Sequence, residues 1–242
     1  VIPARYKSSR FPGKPLIDIY GKPMVIRVAD ICSKAINKNK VLIATDSKKI
    51  KTIVNRFNYN CILTSNKNLT GTDRVAEASK KIDAKIIINV QGDEPLLDYK
   101  DINKIISYKK KYPNKIINAY CNLSKYENQK NLNIPKVVIS ENSELIYMSR
   151  AEIPGSKKKI SKKNYLKQVC IYAYNKNELN KFKKFGKKSK TEFLEDIEIL
   201  RFIDLGFSIK MIKLKKSSQA VDTLKDLKLV KKLLANAKNY RL

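Results

Sequence analysis

Val1-Ile2-Pro3-Ala4-Arg5-Tyr6-Lys7-Ser8-Ser9-Arg10-Phe11-Pro12-Gly13-Lys14-Pro15 opens the chain, and Gly21-Lys22-Pro23-Met24 follows before a run of helical period. The apolar start reads as a strand already under way, so a few residues upstream are expected. The loop leaving that strand carries three cations, Arg5, Arg10 and Lys14, at intervals of five and four. Open α/β sheets bind ligands at the carboxyl ends of their strands. Small residues between the cations let backbone amides approach phosphate oxygens. Such a loop suits holding a triphosphate and stabilising a departing pyrophosphate. It is not a Walker loop, because G-x-x-x-x-G-K-[ST] is absent. The plain alternative is a basic surface loop.

Apolar runs recur along the rest of the chain between segments of helical period. Strands are expected at Val1–Ile2, Val41–Ala44, Cys61–Thr64, Ile86–Val90, Ile117–Cys121, Val137–Ile139, Cys170–Tyr174 and Ile209–Leu214. Several are continuous rather than alternating, as strands buried on both faces are. Helices are expected from after Gly21-Lys22-Pro23 to about Asn37, from Ser47 to Phe57 and from Thr72 to Ile82. Others are expected over Tyr99–Lys111, Lys176–Phe185, Thr191–Leu205 and Thr223–Ala237. The alternation predicts an α/β fold, doubly wound around a mostly parallel sheet. The length fits a single domain over residues 1–242. Ser156–Lys163 is basic and polar and reads as an exposed loop.

Composition narrows the chemistry. Histidine is absent, which excludes Ser-His-Asp triads, Cys-His dyads and His-ligated zinc. The four cysteines, Cys32, Cys61, Cys121 and Cys170, lie too far apart for a zinc ribbon or a redox pair. They read as buried free thiols of a reducing cytoplasm. No apolar run approaches the roughly 20 residues of a membrane helix, and no signal peptide is visible. The formal charge of +30 raises a nucleic-acid reading. Lysine, however, supplies 44 of the 52 basic residues and is spread along the whole chain. Groove readers lean on arginine for bidentate base contacts. The charge suits attraction of a polyanionic substrate.

A second motif, Asn89-Val90-Gln91-Gly92-Asp93-Glu94-Pro95, ends the strand Ile86–Val90. A carboxylate there can hold a hard cation against phosphates, since Mg²⁺ takes one or two carboxylates plus phosphate oxygens and water. Gly71-Thr72-Asp73-Arg74 sits at a helix start, where amides favour anions and where simple capping is the alternative. Asp222 reads locally as a helix N-cap, with Asp226 in the first turn. Ala44-Thr45-Asp46 reads as a strand end and a cap. Glu195, Glu198 and Arg201 fall on one stripe of the helix Thr191–Leu205, where a solvated face with i,i+3 pairing is the alternative.

Together the opening loop, Gly-Lys-Pro-Met and Gln-Gly-Asp-Glu-Pro resemble the CMP-Kdo synthetase branch of the sugar nucleotidyltransferases, a Rossmann-like fold. The resemblance runs from Val1 to about Val230 and implies a reaction. A CMP-Kdo synthetase joins CMP from CTP to a 3-deoxy-2-keto sugar acid and releases pyrophosphate, with Mg²⁺, for lipopolysaccharide synthesis. It implies nucleotide contacts from Pro3, Ala4, Arg5, Arg10, Lys14, Gly71, Thr72, Arg74 and Gln91. Arg5, Arg10, Lys14 and Asp93 are the implied catalytic residues, and Asp93 and Asp222 the implied Mg²⁺ ligands. Arg150, in a Ser-Arg-x-x-Ile-Pro match, is expected to meet the sugar carboxylate, with Gln168, Tyr172, Glu195 and Glu198 around the sugar. A homodimer is implied, paired through a small appendage at about 142–168. Two positions depart from the family: Gln168 stands where it carries His, and Ile199 where it carries Gln. The nucleotide motifs are intact and the acceptor motifs altered, which leaves room for an amino-Kdo or another ulosonic acid.

Overall fold

The computed structural model describes residues 1–7, 11–124, 126–158, 161 and 164–236. Arg10 therefore lies outside the described residues, as do Lys159, Ile160, Lys162 and Lys163 of the expected basic loop. In chain order come β1 (Ile2–Ala4), β2 (Asp18–Ile19), β3 (Lys22–Pro23), α1 (Met24–Ala35), β4 (Leu42–Thr45), α2 (Lys48–Arg56), β5 (Asn60–Leu63) and α3 (Gly71–Ser79). They are followed by β6 (Ile87–Val90), α4 (Tyr99–Lys111), β7 (Ile116–Asn122), β8 (Lys136–Ile139), β9 (Leu145–Ser149) and β10 (Leu166–Tyr174). The chain continues with α5 (Lys176–Lys184), α6 (Lys190–Glu195), α7 (Leu200–Asp204), β11 (Ile209–Lys213) and α8 (Leu224–Asn236). Two compact units result: residues 1–83, 89–103 and 218 onward in one, and 84–88 and 104–217 in the other.

The first unit is built on a parallel sheet in the order β1-β4-β5. Every residue of β1 and β4 is buried, which is why these strands read as unbroken apolar runs. Helix α2 starts where Ser47 accepts from the amide of Ile50, and its Ile50 and Val54 are buried one turn apart. Helix α3 starts with a capping box between Thr70 and Asp73. The hairpin β2–β3 turns through Tyr20 and Gly21, both at positive φ, the backbone pair a tight hairpin demands. Behind it Ile19, Met24, Val221, Val230 and Leu234 form a core that brings α8 onto the start of the chain.

The second unit holds a mixed sheet in the order β11-β7-β10-β8-β9. Strand β11 runs parallel to β7, while β7–β10, β10–β8 and β8–β9 are antiparallel. The α/β class with a parallel core is as expected; the antiparallel pairings are additional. Unbroken apolar runs do not disclose them, because a central antiparallel strand buried on both faces reads the same way. Strand β9 was not among the expected strands. Phe202 stacks on Tyr174 and packs on Phe182 to anchor the unit.

The expected helix Thr191–Leu205 is corrected to two short helices. Asp196 caps α6 in the left-handed conformation at φ 50, and the chain turns before α7. Glu195, Glu198 and Arg201 therefore share no helical stripe. Arg201 instead reaches back nine residues to Glu192, with bonds of 2.6 and 2.7 Å, and both side chains are fully buried. That excludes the solvated face as well.

Candidate active site

The first unit brings together, from three distant parts of the chain, residues expected to meet phosphate and metal. Strand β1 ends at Ala4, and the loop that leaves it closes on itself where the Gly13 amide donates to the Tyr6 carbonyl at 3.0 Å. Gly13 takes a left-handed φ of 72° there, which glycine adopts without steric cost. Strand β6 lies alongside, its Val90 amide donating to the Val1 carbonyl. Past its end, a Cβ on Gly92 would stand 2.9 Å from the Pro3 carbonyl oxygen. Only glycine lets the Gln-Gly-Asp turn approach β1 so closely. The Val221 amide then donates to the Asp93 carbonyl at 2.9 Å, which draws Asp222 in beside it.

The result is a cation shared between two carboxylates. Lys14 Nζ donates to Asp93 Oδ2 at 2.7 Å and to Asp222 Oδ1 at 3.1 Å. Burial pulls the Lys14 pKa down, but Asp93 and Asp222 outweigh it and the net shift is upward. The expected N-cap role of Asp222 is corrected. Thr223 and Asp226 close the cap reciprocally, through Asp226 amide to Thr223 Oγ1 and Thr223 amide to Asp226 Oδ2. The Asp222 carboxylate turns to Lys14 instead. Among the described residues no group of three or more His, Cys, Asp or Glu side chains gathers as a metal cage. A two-carboxylate pair already spanned by a cation fits Mg²⁺, which completes its shell with phosphate and water.

Pro3 and Ala4 are buried in β1 and Arg5 is exposed at its end. Gln91 is half-buried, its Nε2 donating to Asn89 Oδ1. Gly71 and Thr72 open α3 as expected. Arg74 has a different use from the expected one. Its guanidinium is buried and donates to Asp46 Oδ2 at 2.9 Å and to Thr64 Oγ1. Asp46 in turn faces the Tyr6 amide, and Lys49 lies over the Tyr6 ring. Arg74 thus braces the start of the loop that leaves β1, through Asp46, which the sequence offered only as a strand end and a cap.

The second unit holds the expected sugar residues. Gln168 Nε2 donates to Asn118 Oδ1 and Tyr172 Oη, both at 3.2 Å. Burial pushes the Tyr172 pKa well above the usual phenol value, so the hydroxyl stays protonated. Arg150 does not offer its fork outward. It donates to the carbonyls of Glu195 at 2.6 Å, Asp196 at 2.9 Å and Leu132 at 2.9 Å. The first two are carbonyls at the end of α6, so Arg150 caps that helix. The Glu195 carboxylate accepts from Ser149 Oγ at 2.7 Å and the Arg150 amide at 2.8 Å. Glu198 is half-buried and Ile199 buried in the turn between α6 and α7.

A family model described as cytidylyltransferase matches residues 1–228, across both units. The 3-deoxy-manno-octulosonate cytidylyltransferase of Escherichia coli is 34% identical over 97% of this chain and 95% of that enzyme. Its counterpart from Francisella philomiragia is 37% identical over 96% of each. The chain belongs to the 3-deoxy-manno-octulosonate cytidylyltransferase family. A solved structure of CMP:2-keto-3-deoxy-manno-octonic acid synthetase complexed with CTP superposes with a TM-score of 0.89, at 34% identity, over 97% of this chain and 96% of that one. A 4-diphosphocytidyl-2C-methyl-D-erythritol synthase from Anaerococcus prevotii shares the fold at a TM-score of 0.63 and 14% identity. This cytidylyltransferase keeps its loop, carboxylates and Gln-Gly-Asp turn in one unit, and Gln168 and Ile199, which the sequence reading expects to depart from the family, fall in the other.

Proposed function

We propose that this cytidylyltransferase transfers CMP from CTP to Kdo or a closely related 3-deoxy-2-keto sugar acid, releasing pyrophosphate. The observation that carries this reading is Lys14 held between Asp93 and Asp222 beside the phosphate loop. The sugar's anomeric hydroxyl would attack the α-phosphorus in line, with positioning and electrostatics supplying the rate. Asp93 and Asp222 would hold Mg²⁺, which when bound supplies charge stabilisation to the phosphates. Lys14 and Arg5 face the leaving pyrophosphate in this reading, and Arg10 belongs to the same loop by sequence. The product would feed lipopolysaccharide synthesis in the cytoplasm. The four cysteines form no disulfide, which suits that compartment, and no described helix is long and apolar enough to cross a membrane.

The deciding assay is pyrophosphate release with CTP and Kdo, run beside UTP and other 2-keto-3-deoxy acids. Efficient use of a sugar 1-phosphate with no activity on any keto acid would remove the reading. A second acceptor, such as an amino-Kdo, is favoured by one observation: Ile199 puts an apolar side chain where the family carries an amide. A nucleic-acid role would show instead as tight, steeply salt-dependent DNA binding without turnover.

Lys14→Ala is expected to lower kcat/KM roughly ten- to a hundredfold, the worth of a charge-assisted contact of ~1.5–3 kcal/mol. Steady-state kinetics on a folded variant check this, and unchanged kinetics would reduce Lys14 to a surface cation.

A homodimer is also proposed. Leu132, Phe193 and Leu194 are 63%, 70% and 71% exposed, and Arg150 ties their two segments together through Leu132 and Glu195. Exposed large apolar side chains of this kind suit an association surface in addition to the segment at about 142–168 that the resemblance implies. Sedimentation at micromolar concentration should give a dimer, and Leu194→Lys should shift it to monomer. A monomeric native protein would remove this part.

A further inference from the structure

The ladder between β7 and β10 is interrupted. Val169 pairs with Ala119, yet Tyr172 pairs with the next residue back, Asn118. Cys170 and Ile171 are thus left as a bulge on β10. Asn118 fills that bulge with its side chain. Its Nδ2 donates to the Val169 carbonyl at 3.0 Å and to the Ile171 carbonyl at 2.9 Å. Asn118 is fully buried, so turning its amide over would set an oxygen against two carbonyl oxygens with no water to intervene. Backbone geometry therefore fixes which way Asn118 points, and its Oδ1 faces Gln168.

An amide oxygen only accepts. Gln168 must present Nε2 to it, and does so at 3.2 Å, with Tyr172 Oη as the second acceptor at 3.2 Å. Both Nε2 hydrogens are then committed. Gln168 Oε1 takes no hydrogen bond among the described residues and is not a buried orphan, so it stays open to a ligand. A freely turning glutamine or an imidazole can either donate or accept. A glutamine locked in this way can only accept.

We propose that Asn118 is a positioning residue that locks Gln168 as an acceptor-only contact, restricting the sugar acid to one that presents a donor there, an ammonium above a hydroxyl. This rests on the reading that the sugar acid binds at Gln168. An ammonium always donates and makes a charge-assisted bond, whereas a hydroxyl has alternatives and a methoxy or hydrogen has nothing to give. The sugar's position facing Gln168 is thereby selected by hydrogen-bond polarity as well as by size.

The experiment is a kcat/KM panel at saturating CTP. Single hydroxyls of a 2-keto-3-deoxy sugar acid are replaced in turn by hydrogen, methoxy or amino groups. At one carbon the amino compound should exceed the hydroxyl compound by about tenfold, and the hydrogen and methoxy compounds should fall at least about tenfold below it. Gln168→His, which can donate or accept, should bring the amino and hydroxyl compounds within about threefold of each other. Asn118→Leu, which frees the glutamine to turn, should do the same; if that variant fails to fold, Gln168→His alone decides. A selectivity ratio unchanged in Gln168→His, or no amino preference at any carbon, overturns the proposal while leaving sugar-acid use intact. Failure of every keto acid in the native enzyme overturns this proposal together with the reading beneath it.

Discussion

Asp93→Asn is expected to reduce turnover at least a hundredfold while the protein stays folded. The substitution keeps the size of the side chain and removes its charge. In the structure that charge meets Lys14 at 2.7 Å. In the proposed reaction it holds Mg²⁺ against the triphosphate. Loss of a charged metal ligand removes ~3 kcal/mol or more of transition-state stabilisation, which is a factor of a hundred and upward. The fold should survive, because the Asp93 bond to the Val221 amide is made by the backbone carbonyl. Asp93 is also partly exposed, so an unpaired amide there can reach water. Pyrophosphate release at saturating Mg²⁺ gives the measurement, with thermal unfolding as the control. Near-normal turnover would remove Asp93 from the metal site.

The parts of this site legible in the sequence are those fixed by local rules. Continuous apolar runs gave β1, β4 and β6, and the motifs at the ends of β1 and β6 followed from where strands stop. Ser47 announces α2 because capping is decided within four residues, whereas the Thr70–Asp73 box of α3 emerged only in the structure. What stayed hidden depends on partners far away in the chain. Arg150 looks from its motif like a carboxylate receptor, and only the end of α6, 45 residues on, shows it spent on carbonyls. Arg74 looks like a cation at a helix start, until Asp46, 28 residues back, claims it. Asn118 carries no motif at all. Its signal is a buried polar residue in an apolar strand, Ile116-Ile117-Asn118-Ala119, and such residues are there to satisfy something. The break between α6 and α7 was missed because Asp196 at a left-handed φ costs little for an Asp and leaves the helical period of its neighbours undisturbed.

Arg201→Met should destabilise the protein by about 3–5 kcal/mol, the cost of leaving one member of a buried ion pair without its partner. Arg201 is fully buried and grips Glu192 through Nε at 2.6 Å and Nη2 at 2.7 Å. Its guanidinium also lies 3.7 Å from the centre of the Phe182 ring. Without it, Glu192 keeps one strong partner, the Ser189 amide at 3.0 Å that closes the α6 capping box. One neutral donor cannot offset a carboxylate held away from water. The double variant Arg201→Met with Glu192→Met removes both charges and loses only the cap, worth ~1 kcal/mol. It should therefore be more stable than Arg201→Met alone. The pair also fixes α6 against α7, and with them the turn that carries Glu198 and Ile199. Arg201→Met should thus raise KM for the sugar acid at temperatures where the variant is still folded. Urea unfolding of the native protein, both single variants and the double variant supplies the cycle. A loss below about 1 kcal/mol in Arg201→Met, the range of an exposed pair, would show that water reaches this pair in solution and that the break between the helices is held by something else.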